Sequence, residues 1–426
     1  MPAGGRNAAH RRGVTHMRPE AAPDGAGRAQ ARESAWRVFL VFLHLGLTSF
    51  GGPVAHLGYF HAEFVVRRRW LDARGYADLV ALCQFLPGPA SSQVGMALGM
   101  TRCGYRGALA AWAGFTLPSA IALVAFALFL SGHPAAIPAG ALHGLKIAAV
   151  AVVAQAVWSM CRNLYAGGAW LALMLAATGV ALLVPSALAQ PGIIAAAGAG
   201  LLLFKPTPPR EHAAWAMPVR RRAGAAWLVA FLGLLAGLPL LAALLPGQAI
   251  AEVDAFFRAG ALVFGGGHVV LPLLQAAVVP PGWVDNDAFL AGYGAAQAMP
   301  GPLFAFAAFL GASMHAAPSG WSGGLLCLLA VFAPSFLLVA GALPFWNRLR
   351  RNARMRAALT GINAAVVGLL LAALYDPVWT SAIHAPLDIA LALAALAALA
   401  LWKLPPWLVV VGCGVAGALS GTAGLS

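Results

Sequence analysis

The residues of this chain that could do chemistry lie where backbone breaks and polar groups interrupt hydrophobic sequence. In the first half, Phe50-Gly51-Gly52-Pro53 is followed by Trp70-Leu71-Asp72, by Gln84-Phe85-Leu86-Pro87-Gly88-Pro89 and by Leu117-Pro118-Ser119. In the second half, Phe264-Gly265-Gly266-Gly267, Trp283-Val284-Asp285, Gln297-Ala298-Met299-Pro300-Gly301-Pro302 and Ala333-Pro334-Ser335 follow in the same order at nearly the same spacing. Gly144-Leu145-Lys146 and Gly361-Ile362-Asn363 extend the match, so the chain is an internal duplication. Proline removes an amide donor and clashes with the preceding turn, while glycine opens conformations closed to other residues. A helix interrupted there starts again, and its new N-terminus carries free amides and partial positive charge that attract anions. Two such breaks per repeat, related by a pseudo-two-fold axis, can converge on one small anion near the bilayer midplane. Close packing or a simple kink is the bland alternative for any one motif. Duplication at fixed spacing favours the anion-binding reading.

Polar residues inside apolar segments are costly and therefore informative. Gln84 and Gln297 hold equivalent positions three residues before each Pro-Gly-Pro turn. Ser91, Ser92 and Gln93 follow the first turn, whereas Phe304 and Ala305 follow the second, so the first repeat supplies more hydrogen-bonding groups. The candidate substrate-binding residues are Gly51, Gly52, His56, Gln84, Pro87, Gly88, Pro89, Ser91, Ser92 and Lys146. Gly265, Gly266, Gln297, Pro300, Gly301 and Pro302 complete the set from the second repeat. Lys146 stands in an apolar run whose twin carries the neutral Asn363. It reads either as a counter-charge for the anion or as a lysine snorkelling to the interface. His56 is the titratable group best placed to carry a coupling proton, its alternative being a packed interfacial histidine. Arg102 and Arg106 read as loop arginines. His56, His61 and Glu63 come nearest to a metal cluster, but a spacing of five does not share a helical face well. The five cysteines have no paired spacing, and neither a metal nor a cofactor is expected.

The elements that must position these groups are membrane helices. The chain is 61% hydrophobic and 9% charged, with a mean hydropathy of +0.80, and apolar runs of about 20 residues recur along it. The net charge of +14 sits in short flanks and loops, as the positive-inside bias places it, without nucleic-acid-binding motifs. Residues 1–35 read as a disordered cytoplasmic tail, 36–204 as the first repeat, 205–252 as a basic linker with a connecting span, and 253–426 as the second repeat. The tally is about thirteen hydrophobic segments, six plus one plus six. That parity inverts the second repeat relative to the first, and loop charges agree. Loop 67–74 holds four arginines and its counterpart 280–287 holds Asp285 and Asp287 with no basic residue. Arg102 and Arg106 have no arginine counterpart in 315–320, and the neutral loop 131–138 corresponds to the arginine-rich 347–356.

The fold expected is thus an all-α integral membrane protein of two homologous repeats in antiparallel topology. Arginines 67–69 would fall outside if residues 37–60 crossed fully, and stay inside if the chain turns back at Phe50-Gly51-Gly52-Pro53. A second turn at Pro87-Gly88-Pro89 keeps Arg102 and Arg106 inside as well. Broken or re-entrant half-helices satisfy the charges better, provided that protein or water covers their backbone.

Phe50-Gly51-Gly52-Pro53-x-Ala55-His56, Arg69-Trp70-Leu71, Gln84-x-x-Pro87-Gly88-Pro89 and the second-half Phe264-Gly265-Gly266-Gly267 with Pro300-Gly301-Pro302 together resemble the chromate ion transporter family in its long-chain, two-domain arrangement. The resemblance covers about residues 36–420. It implies a multi-pass carrier of the bacterial inner membrane, not an enzyme, that exports chromate and confers chromate resistance, driven by membrane potential or proton gradient. Its partners would be an oxyanion and membrane lipid, with no nucleic acid; a homodimer is compatible with it. Sulfate or another oxyanion is the alternative cargo. A membrane-embedded enzyme is the reading from another class, but no dinucleotide fingerprint, cysteine pair or cluster of carboxylates supports it. A sensing or structural membrane protein would not require the duplicated breaks.

Overall fold

The computed structural model describes residues 33–133, 138–164, 167–184, 189–201, 220–245, 247–264, 267–346 and 352–422. Nearly all of the expected N-terminal tail, linker residues 205–219 and most of the arginine cluster at 347–351 lie outside the described residues. Among those described, the chain is helical with no strand.

Helix α1 (Ala35–Thr48) starts at Ser34, whose hydroxyl accepts the Arg37 amide at 3.3 Å. Gly51 and Gly52, at φ +97° and +77°, end the run of α1, and Pro53 sits in the first turn of α2 (Gly52–His61), which continues through a π turn to Arg67. A continuous helix would hold Phe42 and Phe64 about 30 Å apart; instead their rings stack at 5.0 Å. The chain therefore turns back. Asp72 caps α3 (Ala73–Phe85) by accepting the Gly75 amide at 2.9 Å. Pro87-Gly88-Pro89, with Gly88 at φ +124°, reverses it into α4 (90–102). The Arg102 guanidinium then lies 5.2 Å from the Trp70 ring centroid, which closes the second hairpin. Both breaks are re-entrant. Arg67 and Arg68 share Glu63, and Arg102 lies 3.5 Å from Glu33, so both hairpins return to the face they entered.

A third reversal at Cys103 and Gly104 sends the chain into the long helix α5 (105–132). Gly99 and Gly107 face each other so closely that a Cβ on either would overlap the other's carbonyl, the small-residue contact that lets membrane helices approach. Helices α6 (Ala139–Leu164), α7 (Gly168–Leu183) and α8 (Ala189–Leu201) finish the first repeat, and α9 (Arg221–Leu244) links it to the second. There α10 (Gln248–Leu262) and α11 (Val270–Val278) form the first hairpin, α12 (Asn286–Ala298) and α13 (Phe306–Ala312) the second, and α14 (Gly320–Ala342) is the long helix. The His315 amide donates to the Trp283 carbonyl at 3.1 Å, repeating at equivalent positions the meeting of Arg102 with Trp70. Helices α15 (Ala353–Ala373), α16 (Pro386–Ala400) and α17 (Pro406–Thr422) complete the chain.

The equivalent long helices α5 and α14 lie side by side in opposite directions. Tyr105 meets Phe336, Trp112 meets Phe332 at 5.8 Å, and Val124 meets Gly324. The repeats are inverted, as the loop charges require. They are also interlocked: α6 packs on α16, and on α17 through Gly140 against Gly417 and Gly144 against Cys413, while α7 and α8 pack on α15. Thr178 Oγ1 reaches across to the Gly368 carbonyl at 3.1 Å. Lipid offers apolar side chains no less than a partner helix does, so this contact is held by close van der Waals fit at glycines. Among the described residues, five stretches, within 90–132, 139–162, 221–244, 320–345 and 353–382, are long and apolar enough to cross a bilayer. The protein is a multi-pass membrane protein.

Candidate functional site

The four hairpin tips meet in reciprocal pairs. The Gly88 amide donates to the Val263 carbonyl at 2.7 Å, and the Gly301 amide donates to the Ser49 carbonyl at 2.9 Å. Val263 and Ser49 are equivalent residues, each directly before a Phe-Gly-Gly break. Each Pro-Gly-Pro turn is thus seated on the other repeat's break. Only glycine fits there: Gly88 and Gly301 have φ of +124° and +95°, a region L side chains avoid. A Cβ on Gly88 would also overlap Ser335 Oγ and Gln93 Nε2, and one on Gly301 would come within 2.9 Å of Ser119 Oγ. Ser119 and Ser335 project from the middle of α5 and α14, so the tips meet near half-depth.

Helices α2 and α4, the Gly267–Val269 turn before α11 and the Leu303–Ala305 turn before α13 all begin at these tips. Their first amides have no partner within the helix and carry the positive end of its dipole. Around them lie buried polar atoms with no protein partner: Ser49 Oγ, Ser92 Oγ, Gln93 Oε1, Thr116 Oγ1 and Ser335 Oγ. His56, 1% exposed, stands edge-on to Phe115 at 5.2 Å. It lies beside the Ser49 backbone with neither ring nitrogen in a well-formed hydrogen bond. Each such orphan costs about 1–3 kcal/mol when no partner arrives. A cluster of them around helix starts is suited to a hydrated polar ligand. Gln93 Nε2 braces the first turn by donating to the Pro87 carbonyl at 2.6 Å.

Of the residues read from sequence, Gly51, Gly52, Pro87, Gly88, Pro89, Pro300, Gly301 and Pro302 form the tips, with His56, Ser91 and Ser92 buried on the helices that leave them. Gln297 keeps its Nε2 buried without a well-formed hydrogen bond close to the second turn, whereas its twin Gln84 on α3 is exposed. Gly265 and Gly266 lie outside the described residues. Lys146 Nζ is held 2.6 Å from Asp287 Oδ1, in the first turn of α12. The chain itself thus supplies the counter-charge to that lysine. Gln93, one of the polar residues the sequence places after the first turn, joins the cluster, and so do Ser49, Thr116, Ser119 and Ser335, which the sequence does not mark as ligands. The recurrence of Pro118-Ser119 as Pro334-Ser335 was the available signal for the last two; Thr116 had none. His268 also belongs here: its Nε2 faces Gly52, and its Nδ1 lies 3.0 Å from the Tyr293 hydroxyl. Among the described residues no group of three or more His, Cys, Asp or Glu side chains is placed to hold a metal ion.

Comparison with known proteins fits this duplicated geometry. Residues 36–204 and again 250–418 match the chromate transporter family. A chromate transport protein of Pseudomonas aeruginosa is 29% identical over 423 residues, covering 94% of this chain and 96% of the relative. A probable chromate transport protein of Synechococcus elongatus is 29% identical over 338 residues, 78% of this chain and 81% of the relative. A chromate transport protein of Cupriavidus metallidurans is 27% identical over 392 residues, 89% and 92% of the two chains. No solved structure matches the chain. With both halves matching, each built around the same pair of re-entrant hairpins, the chain belongs to the chromate transporter family.

Proposed function

We propose that this protein exports chromate from the cytoplasm across the bacterial inner membrane, and that the cluster at the hairpin tips is its midplane site. The observation that carries the reading is the reciprocal seating of Gly88 on Val263 and Gly301 on Ser49, which brings helix starts from both repeats to one level. The relatives named for chromate transport support the cargo. In this reading a tetrahedral dianion takes the free amides of the helix starts and the hydroxyls of Ser49, Ser92, Ser119 and Ser335. Neutral donors suit a carrier, since a site must hold its ion firmly enough to load it and weakly enough to release it. Leaving an inside-negative cytoplasm is electrically downhill for a dianion by about 4.6 kcal/mol per 100 mV. His56 is the group proposed to carry any coupling proton.

Inverted membrane vesicles containing the protein test this directly. They should accumulate chromate when an inside-positive potential is imposed, and sulfate should compete only in excess. Sulfate uptake that chromate fails to displace would replace the cargo. Uptake driven by potential alone, with no response to an imposed pH gradient, would remove His56 from the coupling scheme.

A further inference from the structure

A second buried polar feature lies on one side of the tips. A cavity of about 630 Å³ is lined by α7, α8, α10, α11 and α15, with Ala242 of α9. Its lining runs from Pro280 and Pro281, in the loop after α11, to Leu262, the neighbour of the tip residue Val263. The cavity therefore reaches from the face that carries loop 280–287 to the end of α10 beside the tips.

Arg258 and Asp254, one turn apart on α10, line this passage. Arg258 Nη2 donates to Asp254 Oδ2 at 2.5 Å, yet the pairing is incomplete. Arg258 Nε and Asp254 Oδ1 are both buried without a hydrogen-bond partner. A guanidinium presents two parallel N–H groups to a carboxylate or oxyanion; here Asp254 accepts from Nη2 alone, and the neighbouring Nε–H is left unused. The equivalent residues of the first repeat are His44 and Leu40, so the pair is not demanded by the repeated fold. A partly buried arginine with a half-used fork, in a cavity that opens toward loop 280–287, has the chemistry of an anion relay. Its own carboxylate neighbour makes the site exchangeable, because Asp254 competes with whatever anion Arg258 accepts. Asp376, which also lines the cavity, adds repulsion that discourages an anion from lingering.

We propose that this cavity is the release-side site for a tetrahedral oxyanion, with Arg258 receiving it from the tips and Asp254 displacing it. The proposal rests on the transport reading and on loop 280–287 facing away from the cytoplasm. In inverted vesicles this face is the lumen, so chromate preloaded there should inhibit uptake by occupying the site. Arg258→Gln should raise the lumenal concentration for half-inhibition about tenfold and leave the apparent KM on the outer side within about twofold. Arg258→Lys should be intermediate, since a point charge replaces the fork. Asp254→Asn should do the reverse, with lumenal chromate inhibiting at lower concentration and turnover slowing as release is hindered. The double variant Asp254→Asn with Arg258→Gln leaves no charge unpaired and should behave like Arg258→Gln, which separates loss of the site from loss of the fold. An unchanged lumenal constant in Arg258→Gln, or equal changes on both sides, overturns the proposal. Calorimetric sulfate binding to the purified protein distinguishes the two levels. A wild type that carries no chromate, but whose sulfate affinity falls about tenfold in Arg258→Gln, sinks the chromate reading and keeps the cavity site.

Discussion

Ser335 shows how a single atom can separate binding from stability. Its hydroxyl is buried at the Gly88 turn with no protein partner, so Ser335→Ala removes no intramolecular hydrogen bond and relieves a desolvation cost. Thermal unfolding in detergent should stay level or rise, by up to about 1 kcal/mol, while the apparent KM for chromate rises roughly tenfold. Lower stability with an unchanged KM would make Ser335 a packing residue and nothing more. Lys146 offers the contrast: it already holds a carboxylate, and Asp287 is 72% exposed, so this ion pair ties α6 to α12 with the modest strength of a surface bridge.

At the scale of elements, the hairpins decide topology. Each pair of half-helices enters and leaves by one face, so Trp70 meets Arg102 and Trp283 meets His315. Since α5 and α14 run in opposite directions, the two Trp loops belong to opposite faces of the membrane. Cysteines introduced at Arg74 and Asp285 should therefore label from opposite sides, Arg74→Cys from the cytoplasm and Asp285→Cys from outside, where the positive-inside bias places them. Labelling of both from one side would be incompatible with inverted repeats. Glycine contacts such as Gly46 against Gly114, and Gly260 against Val331, hold these elements at backbone distance. Their force is short-ranged fit, which is why one added methyl group there is felt as overpacking.

The whole molecule is more than two repeats placed together. Helices α16 and α17 cover α6, and α7 and α8 cover α15, so each repeat completes the other's outer wall, and each tip needs the other's break. Neither half should be stable alone. Residues 1–219 and 220–426 expressed separately should be degraded in the membrane, and co-expression should recover protein and chromate uptake together. A stable, monomeric first half that binds chromate would contradict this interlocking.

Much of this organisation was legible in the residues. Hydropathy gave the membrane class, because spanning needs long apolar runs and nothing in lipid substitutes for them. The paired landmarks gave the duplication, and loop arginines gave its inversion, because charge at a membrane face is a local and directional property. Gly51, Gly52 and the two Pro-Gly-Pro turns were recognisable as breaks since only those residue types permit them. What the tertiary structure alone decided is which groups meet. Gly88 reaching Val263, Ser119 facing Gly301, Lys146 finding Asp287 and Gln84 being exposed while Gln297 is largely covered all depend on contacts between residues far apart in the chain. Sequence periodicity reports which face of a helix is apolar; it does not report which other helix that face will touch.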